Sequence, residues 1–133
     1  MEDQRVLIDT SIVIEHLRKR NKQKSILYKI FPQYEIVLSS ISVFELYAGA
    51  TDKRKISDIE HILSVIEVVP FTSAIAQKAA HIYQLLKKTN SLLDIRDLFI
   101  GATALTLNLP LVTLDKGHFK RIAELEIIDE HNL

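Results

Sequence analysis

Asp9, Glu45, Asp97 and Asp115 each interrupt, open or close a run of apolar residues. Asp9 follows Val6-Leu7-Ile8, and Glu45 lies inside Ile41-Ser42-Val43-Phe44-Glu45-Leu46-Tyr47-Ala48. Asp97 opens the almost uncharged stretch from Leu98 to Leu114, and Asp115 closes it. Each is an ionisable group on an element that should be buried. A buried carboxylate costs several kcal/mol unless it is paired, neutralised or bound to a metal. Few cations lie within these runs, so a hard divalent cation is the simplest partner. Carboxylates gathered on such a cation are equipment for phosphoryl transfer, and a metal-dependent nuclease is the leading expectation.

Three of the acids have a structural explanation as well. Ser42-x-x-Glu45 spells a capping box. Asp94-x-x-Asp97 reads as an N-cap followed by an acid that the helix dipole favours. Asp115-Lys116-Gly117 reads as an ordinary turn. Asp9 has the weakest explanation of this kind, because Thr10 or Ser11 can cap the next helix without it. The conjunction of the four carries more weight than any one.

Their positions depend on the elements that bear them. Residues 5–9, 35–38, 66–70, 110–114 and 126–129 read as strands. Residues 11–20, 23–31, 41–50, 53–65, 73–88 and 97–108 read as helices, with a short one at 117–123. The alternation predicts an α/β fold, a three-layer α/β/α sandwich around a mainly parallel sheet covered on both faces. In open α/β sheets ligands bind beyond the carboxyl ends of the strands. Asp9 and Asp115 fall at such ends. Glu45 and Asp97 fall in the first turns of helices starting at that edge, so all four can converge on one cleft. Close carboxylates repel by roughly 4 kcal/mol per pair at an effective dielectric of about 20. A divalent cation reverses the repulsion, and all-oxygen ligation favours Mg²⁺ or Mn²⁺ over zinc. Gly101, one turn after Asp97, costs about 1 kcal/mol of helix propensity. Close backbone packing beside Asp97 is the expected compensation.

The 133 residues predict one domain spanning 1–133. Lys plus Arg and Asp plus Glu both number 17, so a wholesale basic footprint for nucleic acid is absent and any such contact must be local. Arg18, Lys19, Arg20, Lys22 and Lys24 form the densest basic cluster, which also suits a helix C-terminus. Lys116, His118, Lys120 and Arg121 follow Asp115 and are better placed to touch a scissile strand. The absence of cysteine excludes disulfides, thiolate metal sites and a cysteine nucleophile. Met1-Glu2-Asp3-Gln4-Arg5 is too polar for a signal peptide, and the uncharged run 98–114 is short for a membrane span. These features predict a cytoplasmic protein with no membrane segment. His16, His61, His81, His118 and His131 show no ligand spacing. The three glycines permit neither a Walker loop nor a dinucleotide fingerprint. Ser11 stands where a haloacid-dehalogenase phosphatase needs a second Asp. A response-regulator receiver would need an acid pair and a lysine that the chain does not supply convincingly.

Four segments carry a family resemblance: Val6-Leu7-Ile8-Asp9-Thr10-Ser11, Ser40-Ile41-Ser42-Val43-Phe44-Glu45-Leu46, Asp94 through Ala104, and Leu111-Val112-Thr113-Leu114-Asp115. In this order they resemble the PIN domain, and specifically the VapC toxins of type II toxin–antitoxin systems. The block around Asp97 is the most specific. The resemblance implies an Mg²⁺- or Mn²⁺-dependent endoribonuclease that needs no side-chain nucleophile. Asp9, Glu45, Asp97 and Asp115 match the family's acidic quartet. Asp9 and Asp97 would be the central metal ligands, and Glu45 and Asp115 would complete the coordination or hold metal-bound waters. The resemblance also implies an RNA substrate, a homodimer joined through helical surfaces, and a cognate antitoxin seated in an aliphatic groove among the N-terminal helices. Two features depart from the pattern. Many relatives carry a further acid followed by Phe shortly after the position of Asp115, where this chain has His118-Phe119. Asp94 is an additional acid, either standing behind the site or capping a helix. Two alternatives share the fold: an RNA-processing nuclease without an antitoxin, and a module that binds RNA or protein without cutting.

Overall fold

The computed structural model describes residues 4–133; Met1–Asp3, read above as part of a segment too polar for a signal peptide, lie outside them. Short runs of Val, Ile and Leu form the strands β1 (Arg5–Ile8), β2 (Glu35–Ser39), β3 (Glu67–Val69), β4 (Leu111–Val112) and β5 (Ile127–Ile128). They make one sheet in the order β3-β2-β1-β4-β5, and every neighbouring pair is parallel. The helices are α1 (Thr10–Arg18), α2 (Ile26–Ile30), α3 (Ser40–Ala48), α4 (Lys53–Leu63), α5 (Ser73–Lys88), α6 (Ile95–Leu107) and α7 (Lys116–Phe119).

Strand side chains alternate between two cores, as a period of two requires. Val6, Ile8, Ile36, Leu38 and Val112 pack with Ile12, Val13, Ile30, Leu46 and Ile59 from α1 to α4. Leu7, Val37, Val69 and Leu111 face the other way, onto Ile75, Ala79, Ile82, Ile100 and Phe119. Both faces of the sheet are therefore covered, which is why the strands read as continuous apolar runs. No helix among the described residues is long and apolar enough to cross a membrane.

Several boundaries differ from the sequence reading for identifiable reasons. The helix expected over 23–31 begins only at Ile26, because the Ser25 hydroxyl accepts from Tyr28 N and caps a new helix. Lys22–Lys24 before it form one 3-10 turn. The first residue of α6 is Ile95, two before the expected start, because Asp94 caps it by accepting from Arg96 N at 3.0 Å. Asn108 ends that helix in the left-handed region at φ 59°, a conformation Asn tolerates better than most residues. The helix expected over 117–123 stops at Phe119.

The chain runs from β1 outward through β2 to β3, then returns to place β4 on the opposite side of β1. This reversal puts a topological switch point at the carboxyl ends of β1 and β4, the usual ligand position in such sheets. Asp9 N donates to Val112 O at 2.9 Å and pins the two strands together at that point.

Candidate active site at the carboxyl edge of the sheet

Asp9 is the residue immediately after β1 and the N-cap of α1, and it is 3% exposed. Its side chain makes no capping bond. Instead Oδ2 accepts from Ser11 Oγ and from Thr113 Oγ1, each at 2.8 Å. Burial raises its pKa from the ordinary Asp value, and the two hydroxyls pull partly in the other direction. Thr113 has a second role: its Oγ1 accepts from Asp115 N at 2.9 Å. A single buried hydroxyl thus links the acid after β1 to the one after β4.

Glu45 lies in the second turn of α3, one turn deeper than expected, because Ser39 caps this helix by accepting from Ile41 N. The Ser42–Glu45 capping box does not form. Ser42 is fully buried within the helix and its Oγ lies 2.7 Å from Thr10 Oγ1. Thr10 donates to Glu45 Oε1 at 2.8 Å. Glu45 is thereby tied to the start of α1, right beside Asp9.

Asp97 occupies the first turn of α6, and its side chain is 25% exposed. Its pKa is raised to about 6, first by burial, then by the negative charges of Asp9 and Asp94, with a smaller push from Glu45. His118 counteracts, with Nδ1 3.6 Å from Asp97 Oδ2. Asp94 is the helix cap, and Arg96 holds its carboxyl below the ordinary value. Arg96 also reaches Glu45, with Nη1 3.7 Å from Oε2. Asp115 is exposed, unlike the other three, at the start of α7 without a capping bond. Its charge is nonetheless felt at Asp9, whose pKa it raises.

The sheet's switch point therefore gathers all four acids as electrostatic neighbours, at different depths. Among the described residues no three Asp, Glu or His side chains stand close enough to hold a metal ion as they are. The burial expected for all four elements holds fully only at Asp9. Other candidates sit elsewhere: Lys22 Nζ donates to the carbonyls of His16 and Leu17, and Lys116 pairs with Asp129 at 3.2 Å. The sequence offers Thr10 only as a helix cap and assigns no role to Thr113 or Arg96. A polar β-branched residue inside the strand run Leu111–Leu114 was the available signal for Thr113. A lone cation between Asp94 and Asp97 was the signal for Arg96. Gly101 has its close neighbour too, but the neighbour is a side chain: a Cβ there would meet Ile122 Cδ1 and lie 3.8 Å from Phe119 Cδ1.

A parallel five-stranded sheet with carboxylates at this edge defines a class, and comparison with known families agrees: the PIN domain model matches residues 6–125, and the chain belongs to that family. Within it, the chain is similar to the VapC ribonucleases. It is 30% identical over 131 residues to Ribonuclease VapC1 of Methanocaldococcus jannaschii, covering 97% of this chain and 90% of that one. It is 33% identical over 131 residues to Ribonuclease VapC of Rickettsia bellii, covering 92% and 94%. Among solved structures, VapBC-1 of nontypeable Haemophilus influenzae superposes with a TM-score of 0.82 at 26% identity, covering 95% of this chain and 98% of that one.

Proposed function

We propose that this chain is a divalent-metal-dependent endoribonuclease of the VapC type, acting as the toxin of a toxin–antitoxin pair. The observation that carries the reading is the gathering of Asp9, Glu45, Asp97 and Asp115 at the switch point of the sheet, with Asp97 driven up to about 6 by burial and by its acidic neighbours. The donors are hard carboxylate oxygens with no sulfur, the set that suits Mg²⁺ or Mn²⁺. Asp9 and Asp97 would hold the cation, with Glu45 and Asp115 completing its surroundings. Bound there, it supplies a nucleophilic water near neutral pH and steadies charge developing on the phosphate.

The protein's own groups prepare that site. Ser11 and Thr113 fix the carboxylate of Asp9 in one orientation. Thr10 does the same for Glu45. Thr113 aligns the backbone at Asp115. The hydroxyls also keep Asp9 more acidic than burial alone would allow.

A groove of about 240 Å³ runs beside the site, lined by Ile14, Leu17, Leu46 and Ile59, with Glu45 in its wall. Its aliphatic floor suits an apolar antitoxin segment, laid where it also covers a site acid. On the opposite layer, α5 and α6 present Tyr83 and Ile95, 39% and 50% exposed, beside Phe71 and Phe99. This face suits the homodimer contact, and the cytoplasm is the compartment that fits a cysteine-free ribonuclease.

The test is cleavage of a mixed RNA pool by the purified protein, with Mn²⁺, with EDTA, and by Asp97→Asn with Mn²⁺. Cleavage in the first tube alone supports the reading. Cleavage in all three is a contaminant, and cleavage in none moves weight to a binding module. A small adjacent reading frame whose product suppresses toxicity separates the toxin from an RNA-processing nuclease.

A further inference from the structure

Arg96 is the only Lys or Arg side chain, among the described residues, within salt-bridge reach of any of the four acids. The Asp94 carboxylate that caps α6 also accepts from Arg96 Nε at 3.3 Å. Among the described residues that is the one hydrogen bond the guanidinium makes. Its Nη1 stands 3.7 Å from Glu45 Oε2, an ionic contact beyond hydrogen-bonding range. The Nε edge is thus anchored, and the Nη edge faces the acids with its donors unspent. The side chain is 51% exposed, so an incoming molecule can reach it.

An acidic cleft repels a polyanion, and two of the neighbouring cations are committed elsewhere. Lys116 is held by Asp129, and Arg121 Nη1 donates to Leu92 O. A guanidinium anchored on one edge and free on the other is preorganised for phosphate oxygens. We propose that Arg96 is a substrate-binding residue that takes a non-bridging oxygen of an RNA phosphate at the mouth of the cleft. The proposal rests on the ribonuclease reading above. A role as counter-ion alone, neutralising Asp94 and Glu45, would be met equally well by Lys, so Arg96→Lys would then bind RNA as the unaltered residue does.

Binding is best measured apart from cleavage, in the Asp97→Asn protein with Mg²⁺ present. The probe is a fluorescein-labelled pool of short random-sequence RNA, and its anisotropy is followed between about 50 and 200 mM salt. Adding Arg96→Ala should weaken binding about 10- to 100-fold, the range for a charge-assisted hydrogen bond. It should also reduce the slope of log affinity against log salt by about 0.7, one phosphate contact on a single strand. Arg96→Lys should keep the slope and lose part of the affinity. Arg96→Gln, which preserves bulk, should follow Arg96→Ala. An unchanged slope and affinity in Arg96→Ala overturns the proposal.

In the otherwise unaltered protein, Arg96→Ala should raise KM for cleavage of the same pool and leave kcat within a few-fold. A fall in kcat at constant KM would equally overturn it. Failure of the wild-type protein to cleave would sink the ribonuclease reading instead, while the salt slope still decides the role of Arg96.

Discussion

Asp97→Asn should stabilise the metal-free protein while removing its activity. The carboxyl of Asp97 has its pKa raised from 3.8 to about 6 by burial and by Asp9 and Asp94. At full value such a shift corresponds to about 3 kcal/mol. The side chain keeps 25% exposure, and solvent screening brings the realistic figure down to roughly 1–2 kcal/mol. The folded pKa is raised, so protonation favours the fold. That stability is fully present below 3.8 and is lost as pH rises through about 6. Asparagine mimics the protonated acid. The variant should therefore exceed wild type in EDTA at about pH 8 by roughly 1–2 kcal/mol, a rise in Tm of roughly 4–8 °C for a domain of this size. At about pH 5, where Asp97 is mostly protonated in the fold but mostly ionised in the unfolded chain, the advantage should fall to about half. Circular-dichroism melts at the two pH values decide the matter. An equal increment at both, or a destabilised variant at high pH, would refute the electrostatic reasoning. Mg²⁺ should raise the Tm of wild type by mass action and do so much less for the variant.

Three further perturbations test other parts of the site and its scaffold. Thr113→Val removes a buried donor to Asp9 and strands the N–H of Asp115; urea denaturation should show a loss of about 1–3 kcal/mol, and the acid limb of the pH–rate profile should move upward as Asp9 loses a partner that lowers its pKa. Gly101→Ala gains about 1 kcal/mol of helix propensity but drives a methyl into Ile122 Cδ1; overpacking of about 1–3 kcal/mol should win, and combining it with Ile122→Val should restore most of the loss in a double-mutant cycle. Asn108→Val places a β-branched side chain at φ 59° and should cost about 1–2 kcal/mol in chemical denaturation, whereas Asn108→Gly should be near neutral.

The fold was legible because its signals are local. Five short apolar runs separated by helical patterns define a parallel sandwich, and nothing distant is needed to see them. The switch point was legible for the same reason, since Asp9 ends one strand run and Asp115 closes another. Boundaries were harder where one hydroxyl chose between two readings. Ser39 rather than Ser42 caps α3, and Ser25 splits the stretch 23–31. Each choice is decided by tertiary placement. Ser42 is drawn to Thr10 across a sequence separation of 32 residues and is unavailable to its own helix end.

The same cause explains why Thr113 and Arg96 escaped notice. Thr113 matters through Asp9, 104 residues away, and Arg96 through Glu45 on another helix. Neither relation has a spacing that a single sequence can display. Acids announce themselves in an apolar run because burying their charge is costly wherever they land. The hydroxyls and the guanidinium that manage those acids are ordinary residues until the fold delivers them. A reading that starts from misplaced charge will therefore find the members of such a site before the groups that tune it. The tuning groups follow once one asks what each buried oxygen accepts: for Asp9 the answer is Ser11 and Thr113, and for Glu45 it is Thr10.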